Sequence, residues 1–291
     1  MSDAAPLRPR LSVIVPTCNR DRSLARCLAA LAAQTLSGAD FEVVVVDDSG
    51  NPETGQTLPE NLEVARLQLL RHDRNMGAAA ARNTGARAAS EPFLAFVDDD
   101  CVPASDWAAQ LTMLLPTASG AALVGAVRVD DPQPGADRVT QLLSNPLEAA
   151  DGTLVRAQTA NLSLPAAGFE ALGGFDESYL GAGYEDYDFC QRWRASGRRI
   201  VAAPQAVVHH QRNTTLAGFW RQHYRYGLGA ARFYAPGANA PRPPLKASLR
   251  RVLQAVGAGR TLPEKLGHLG WVGLSQCAML VGFATGRIIR S

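Results

Sequence analysis

The sequence predicts an α/β fold, a mostly parallel sheet flanked by helices and followed by a helical C-terminal extension. Three observations predict it. Short, nearly continuous apolar runs such as VVVV (residues 43–46) alternate with stretches of helical apolar spacing, the pattern of strands buried on both faces by crossover helices. Several of these runs end in polar or acidic residues, and in open α/β sheets ligands sit outside the carboxyl ends of the strands. Charge also divides the chain: residues 1–211 hold 17 Lys and Arg against 26 Asp and Glu, a net −9, whereas residues 212–291 hold 12 against 1, a net +11.

Taken in order, residues 11–17 (LSVIVPT) form a β-rich run ended by a proline turn, and residues 21–34 place Leu24, Leu28 and Leu31 at helical spacing. Residues 41–49 are a valine strand ending in Asp47 and Asp48, and residues 62–70 are a third strand. The Ala-rich residues 77–90 predict a helix despite Gly85, leading into FLAFVDDD, a strand that delivers Asp98, Asp99 and Asp100. Residues 130–160 are rich in turn formers and read as a connecting region. Residues 161–179 predict a short strand, a helical turn and a Gly-rich loop. Residues 183–201 predict an amphipathic helix, with Phe189 and Trp193 one turn apart and Gly197 as its stop. A last strand, residues 202–211, ends at His209 and His210, and no internal repeat is evident.

With 291 residues, 46% hydrophobic and 19% charged, the chain has the composition of a globular protein with a sizeable core. Its five cysteines are scattered without a C-x-x-C pair, which signals neither a disulfide framework nor a cysteine zinc site and favours the reducing cytoplasm. The first ten residues lack the apolar stretch of a signal peptide, so secretion is not expected.

Adjacent carboxylates at a strand end repel one another unless a cation lies between them. Hard oxygen ligands favour Mg²⁺ or Mn²⁺, whose shell is commonly completed by water and substrate phosphates, so Asp98–Asp100 point to a diphosphate substrate. Glu185, Asp186 and Asp188 open the helix at residues 183–201, where by themselves they would complement the helix dipole.

The segments SVIVPTCNR, VVVVDDS, NMGAAAARNTG, FVDDD, GGFDESY and YEDYDFCQRWRASG resemble, in order and spacing, the motifs of family 2 inverting glycosyltransferases with the GT-A fold, a Rossmann-like sheet. The resemblance covers about residues 10–212. It implies metal-dependent transfer, with Mn²⁺ or Mg²⁺, from a nucleotide sugar, a UDP-sugar above others, to a hydroxyl of a glycan or lipid-linked acceptor of the cell envelope. It implies roles for single positions as well. Asp48 would accept a hydrogen bond from the base, with Pro16, Thr17 and Asn19 beside it. Gly77, Arg82 and Asn83 would lie by the diphosphate. Asp98 would serve the ribose or sugar and the metal, Asp99 would share either task, and Asp100 would be the direct metal ligand with His210 completing the shell. Asp186, paired with Glu185, would be the general base. It also divides residues 1–211 into a nucleotide-sugar half (about 10–130) and an acceptor half (about 131–211).

Two rivals are a sugar nucleotidyltransferase and a noncatalytic nucleotide- or sugar-binding scaffold. The first would need a Gly-rich phosphate loop after the first strand, which PTCNRDRS lacks; the second leaves Asp186 without a purpose.

In the basic extension, Arg221, Arg225 and Arg232 are interleaved with Trp220, Tyr224 and Tyr226, a composition suited to a membrane interface. Residues 269–286 are eighteen residues without a charge, at the lower limit for spanning a bilayer and weakened by Ser275, Gln276 and several glycines. They predict a helix docked on the domain or lying in the interface. The chain is thus expected in the cytoplasm, peripheral on the inner face of the cell membrane, with no nucleic-acid partner.

Overall fold

In the computed structural model, which describes residues 11–37, 40–51, 66–129, 135–144, 152, 154–179, 181, 183–211, 214–235 and 245–289, the first half alternates strand and helix as its apolar pattern requires. The elements are β1 (Leu11–Thr17), α1 (Asp21–Ala32), β2 (Phe41–Asp47), β3 (Leu67–Arg71), α2 (Ala78–Ala88) and β4 (Phe93–Phe96). β2 and β4 pair parallel on either side of β1, and β3 pairs parallel outside β2. Alternate strand residues go to opposite faces. Val13, Val15, Val43 and Val45 pack with Leu24, Leu28 and Leu31 of α1, whereas Ile14 and Phe96 meet the other helical layer. In α2, a Cβ at Gly85 would lie 2.6 Å from Ile14 Cγ2 and 3.2 Å from Val46 Cγ2, so glycine lets this helix close onto the sheet.

The second half contributes β5 (Cys101–Pro103), α3 (Trp107–Leu114), β6 (Ala122–Arg128), α4 (Ala136–Ser144), β7 (Leu162–Pro165), α5 (Ala166–Ala171), α6 (Glu185–Ala195) and β8 (Ile200–His210). The sheet runs β3-β2-β1-β4-β7-β6-β8-β5. Its β3-to-β4 part is parallel, whereas β7 is antiparallel to both β4 and β6, β8 is parallel to β6, and β5 is antiparallel to β8. Phe96, Phe169, Phe175, Phe189 and Trp193 form one aromatic cluster under α5 and α6.

Two features differ from the sequence expectation. The reading of residues 130–160 as a connection is corrected in part by α4, whose Val139 is buried against Ala255 and Val272; the helix is short and flanked by turn formers, which masked its period. The helix expected over 183–201 is shorter, because Gly183 (φ +151°) and Tyr184 (φ 70°) bend the chain before Glu185. Residues 62–65 of the third strand, and the N-terminal stretch before Leu11, lie outside the described residues.

The extension is α7 (Leu216–Phe233), α8 (Leu245–Gly257) and α9 (Leu262–Ile288). α7 and α9 touch through small residues: a Cβ at Gly227 would lie 2.2 Å from Met279 O, and one at Gly282 2.0 Å from Tyr224 O. A Thr261–Glu264 capping box starts α9.

Candidate active site

A cavity of about 1030 Å³ opens at the carboxyl ends of β1, β2 and β4 and extends to α6 and α7. Every residue expected from the sequence to form the site lines it except Asn83.

Asp99 is the buried member of its triplet. Its carboxylate accepts from Thr17 Oγ1 (2.7 Å) and Arg20 Nη1 (3.1 Å), and the same Arg20 nitrogen donates to Asp100 Oδ2 at 2.9 Å. Burial raises the Asp99 carboxyl to about 6; the Arg20 charge opposes this and the Asp100 and Asp98 charges add to it.

The antiparallel register of β5 and β8 sets His210 opposite Cys101, one residue beyond Asp100. His210 Nε2 consequently lies 2.9 Å from Asp100 Oδ1. Ligand atoms of Asp100, Cys101 and His210 all fall within 4.8 Å of one another. A carboxylate oxygen and an imidazole nitrogen suit a divalent cation of the Mg²⁺ or Mn²⁺ type, while the fully buried Cys101 thiol is too soft a donor for it. Asp98 stands outside this group: its Oδ1 accepts from Arg82 Nη2 at 2.7 Å. The geometry therefore divides the two residues expected to share the metal, with Asp100 facing the imidazole and Asp98 facing a guanidinium.

Arg82 links the two halves of the cavity. Buried on α2, it donates to Asp98 and, through Nη1 at 3.0 Å, to Glu185 Oε1. Glu185 Oε2 in turn accepts from the Gly183 amide at 2.7 Å, so both its oxygens are held. Among the described residues, the one hydrogen bond that Asp186 accepts comes from the Tyr187 amide, at 2.9 Å. Its carboxyl is pushed up to about 8, first by burial and then by the Glu185 charge, against Arg82 and Arg156. Of the Glu185–Asp186 pair, Asp186 is therefore the one free to take a proton.

Asp48 lines the cavity but is the hub of a turn. Its oxygens accept from the Met76 amide (2.7 Å) and the Gly77 amide (2.8 Å), and Oδ1 lies 2.8 Å from His72 Nδ1. Asn83, expected by the diphosphate, is instead buried beneath the Gly-rich loop. Its Nδ2 donates to Phe175 O (2.8 Å) and Glu177 Oε1 (2.9 Å), and its Oδ1 accepts the Phe175 amide at 2.9 Å. A Cβ at Gly174 would lie 2.5 Å from that oxygen, which explains the glycine. A polar residue on the buried face of α2 has to find its partners there.

Sequence reasoning missed Arg20, although it stands in the first motif, and Arg156, which falls in the stretch read as a connection. It singled out Arg221 and Arg225 only as part of a basic tail, whereas both line the cavity together with Gln222 and Tyr226. Helical spacing shows that Arg221 and Arg225 share a face but not what that face meets.

Residues 12–168, more than half of the chain, match Glycosyl transferase family 2, and residues 148–288 match Glycosyl transferase family group 2. The chain is 33% identical over 220 residues to validoxylamine A glucosyltransferase of Streptomyces hygroscopicus subsp. limoneus, covering 65% of this chain and 49% of that protein. It is 27% identical over 226 residues to glycosyltransferase AglE of Haloferax volcanii, covering 76% and 73%. The chain thus spans about half the length of the validoxylamine A glucosyltransferases it matches. Among solved structures it is similar to the mannosyltransferase PcManGT from Pyrobaculum calidifontis in complex with GDP-Man and Mn²⁺ (TM-score 0.66, 19% identity, 97% of this chain and 88% of that one). It is also similar to S. aureus TarS 1–349 in complex with UDP-GlcNAc (TM-score 0.59, 16% identity, 96% and 90%). At these identities the likeness is one of fold.

Proposed function

Because the chain belongs to glycosyl transferase family 2 and has the GT-A fold, we propose that it moves a sugar, with inversion, from a nucleoside-diphosphate sugar to an acceptor hydroxyl, with Asp186 as general base. The observation that carries this reading is Arg82, which joins Asp98 at 2.7 Å to Glu185 at 3.0 Å and so sets the half-buried Asp186 in the same cavity as the Asp98–Asp100 cluster.

The donor diphosphate belongs at the ends of β1 and β4, near Arg20 and Arg82. The acceptor oxygen attacks the anomeric carbon from the opposite face as the bond to the diphosphate breaks, and its proton passes to Asp186. A carboxylate whose pKa lies near the working pH suits this task. Arg82 and the Gly183 amide hold both oxygens of Glu185, so that this residue orients the pair and the proton passes to Asp186. Asp100 and His210 would hold a divalent cation, Mn²⁺ or Mg²⁺, which when bound offsets the negative charge of the leaving diphosphate.

The substitution Asp186→Asn tests the reading. Transfer should fall by roughly 10²- to 10⁴-fold, while calorimetric binding of the nucleotide with Mn²⁺ stays at the wild-type level. Equal transfer by the variant would remove Asp186 from its role, and a wild-type chain that binds nucleotide yet transfers nothing would favour the scaffold. Titration with UDP and with GDP assigns the base.

α9 supports a peripheral position on the cytoplasmic face of a membrane. From Ser275 onward its inner stripe is small (Ser275, Ala278, Gly282, Gly286), after His268 and Val272 in its first half, whereas its outer stripe carries Leu262, Leu266, Leu269, Leu280 and Ile288, each at least half exposed. Large apolar residues facing outward beside a segment of net +11 fit an interfacial helix on an anionic surface.

A further inference from the structure

The turn that delivers the base has an unfavourable backbone. Tyr184 has φ 70° and ψ −8°, the left-handed conformation that glycine takes freely and a bulky side chain avoids. Its carbonyl accepts the Asp188 amide at 2.9 Å, so α6 starts from this residue, immediately before Glu185 and Asp186. A helix usually starts from an extended residue whose side-chain oxygen caps it, and Tyr184 makes no such cap. A strained residue persists only where its surroundings hold it, and such residues gather at active sites.

What holds Tyr184 is a cage of rings. Its ring centre lies 4.9 Å from that of Tyr187 in the first turn of α6, and 5.6 and 6.1 Å from those of Phe233 and Tyr234 at the end of α7. Phe233 and Tyr234 also pack on each other, at 5.0 Å. The backbone is seated as well: a Cβ at Gly229 of α7 would lie 2.4 Å from Gly183 O and 3.1 Å from Tyr184 Cβ, so glycine leaves room there for the turn. Asp186 stands between Tyr184 and Tyr187 in the chain, and among the described residues its carboxylate is held by the amide of its own neighbour, Tyr187. The direction of that carboxylate therefore follows the backbone of this turn.

From this geometry, and resting on the glycosyltransferase reading above, we infer that Tyr184 is a positioning residue: its ring, gripped by Tyr187, Phe233 and Tyr234, keeps the left-handed turn that aims the Asp186 carboxylate at the acceptor. Glycine at this position would satisfy the backbone but give the cage nothing to grip, and the turn would then be free to leave the conformation that sets the base. The end of α7 thus acts on the base through Tyr184, without touching the reacting atoms.

The test uses the full chain with Mn²⁺ and lets water stand in for the acceptor, following release of UDP from UDP-glucose and of GDP from GDP-mannose. Y184G, which adopts the turn without strain but has no ring, should lower kcat by about 10- to 10²-fold and leave the donor KM at its wild-type value. Y184F keeps the ring and should restore kcat, which a general loss of folding would not allow. Should Y184G fail to fold, Y184N, whose short side chain tolerates the same conformation, takes its place. The inference is overturned if the ringless variant turns over as wild type, if Y184F loses as much as it does, or if KM rises in step, which would make Tyr184 a donor contact. A second readout needs no turnover. In carboxyl ¹³C NMR of the chain without donor, the Asp186 resonance, assigned by its loss in D186N, should titrate at lower pH in Y184G and at the wild-type pH in Y184F. The shift follows because a carboxylate released from the turn gains water, while Glu185, Arg82 and Arg156 keep their charges around it. An unmoved resonance in Y184G overturns the inference. A wild-type chain that binds neither UDP nor GDP overturns instead the glycosyltransferase reading, and the titration then still reads the hold of Tyr184 on Asp186.

Discussion

At the scale of the residue, the site turns on how one arginine is shared. Arg82 neutralises Asp98 and Glu185, and neither oxygen of Glu185 is left for chemistry. Asp186 is left beside it, its carboxyl raised to about 8 by burial first and by the Glu185 charge second. A raised carboxyl stays protonated until the pH passes it, so transfer by the enzyme should rise with pH through an ionisation near 8. Glu185→Gln removes the neighbouring negative charge and leaves Arg82 less compensated, and both effects favour the ionised Asp186. A pH–rate profile of that variant should show the ionisation at lower pH; an unmoved profile would show that the pair is not what titrates. The same raised carboxyl has a cost in stability. Between the ordinary aspartate range and about pH 8 the folded chain holds a proton that the unfolded chain releases, so this group's contribution to stability falls as pH rises across that window. Arg20 has a parallel role at the other end of the cavity, where Asp99 and Asp100 share it. Its motif was legible, but its function was not, because a loop arginine three residues past a strand gives no sign of which carboxylates it will reach.

At the scale of the element, α9 is the helix whose placement has the most specific requirements. Its glycines divide by face. A Cβ at Gly282 would meet Tyr224 O at 2.0 Å, whereas at Gly273 there is nothing within 4 Å. Gly282→Ala should therefore force α7 and α9 apart and destabilise the chain by about 1–3 kcal/mol. Gly273→Ala meets only solvent and should stabilise by about 0.5–1 kcal/mol through helix propensity. Chemical denaturation of the two variants checks both signs, and equal effects would mean that α9 does not sit against α7 as described. Because α7 also walls the cavity, Gly282→Ala should in addition weaken transfer. In α2 the reverse lesson holds: the Ala-rich pattern makes the helix legible and the family resemblance implies Asn83 by the diphosphate, yet its amide serves the loop at Phe175. The pattern reports a helix and not which of its polar residues face inward.

At the scale of the whole molecule, charge is segregated, with net −9 in residues 1–211 and +11 in residues 212–291, and the basic part carries the outward apolar stripe of α9. The full chain should co-float with vesicles containing anionic lipid and not with neutral ones, and raising the salt from 0.05 to 0.5 M should weaken the association without abolishing the apolar contribution. Equal recovery with neutral vesicles would remove the electrostatic part of this reading, and no recovery with either would leave α9 to a protein partner. By itself the sequence determined the parallel half of the sheet, the acidic strand ends, the Glu185–Asp186 pair and the polarity of the extension. Each of these follows from local order: the period of apolar residues, the residue after the last valine, the sign of neighbouring charges. The tertiary structure decided the rest. It set His210 beside Asp100 through the register of β5 on β8, gave Asp98 and Glu185 to one arginine, turned Asn83 away from the cavity and walled that cavity with α7. These are pairings between residues up to about a hundred positions apart, such as Arg82 with Glu185, separated by 103. No local pattern encodes them, because which distant partner a buried charge finds depends on strand register and helix packing that exist only once the chain has folded.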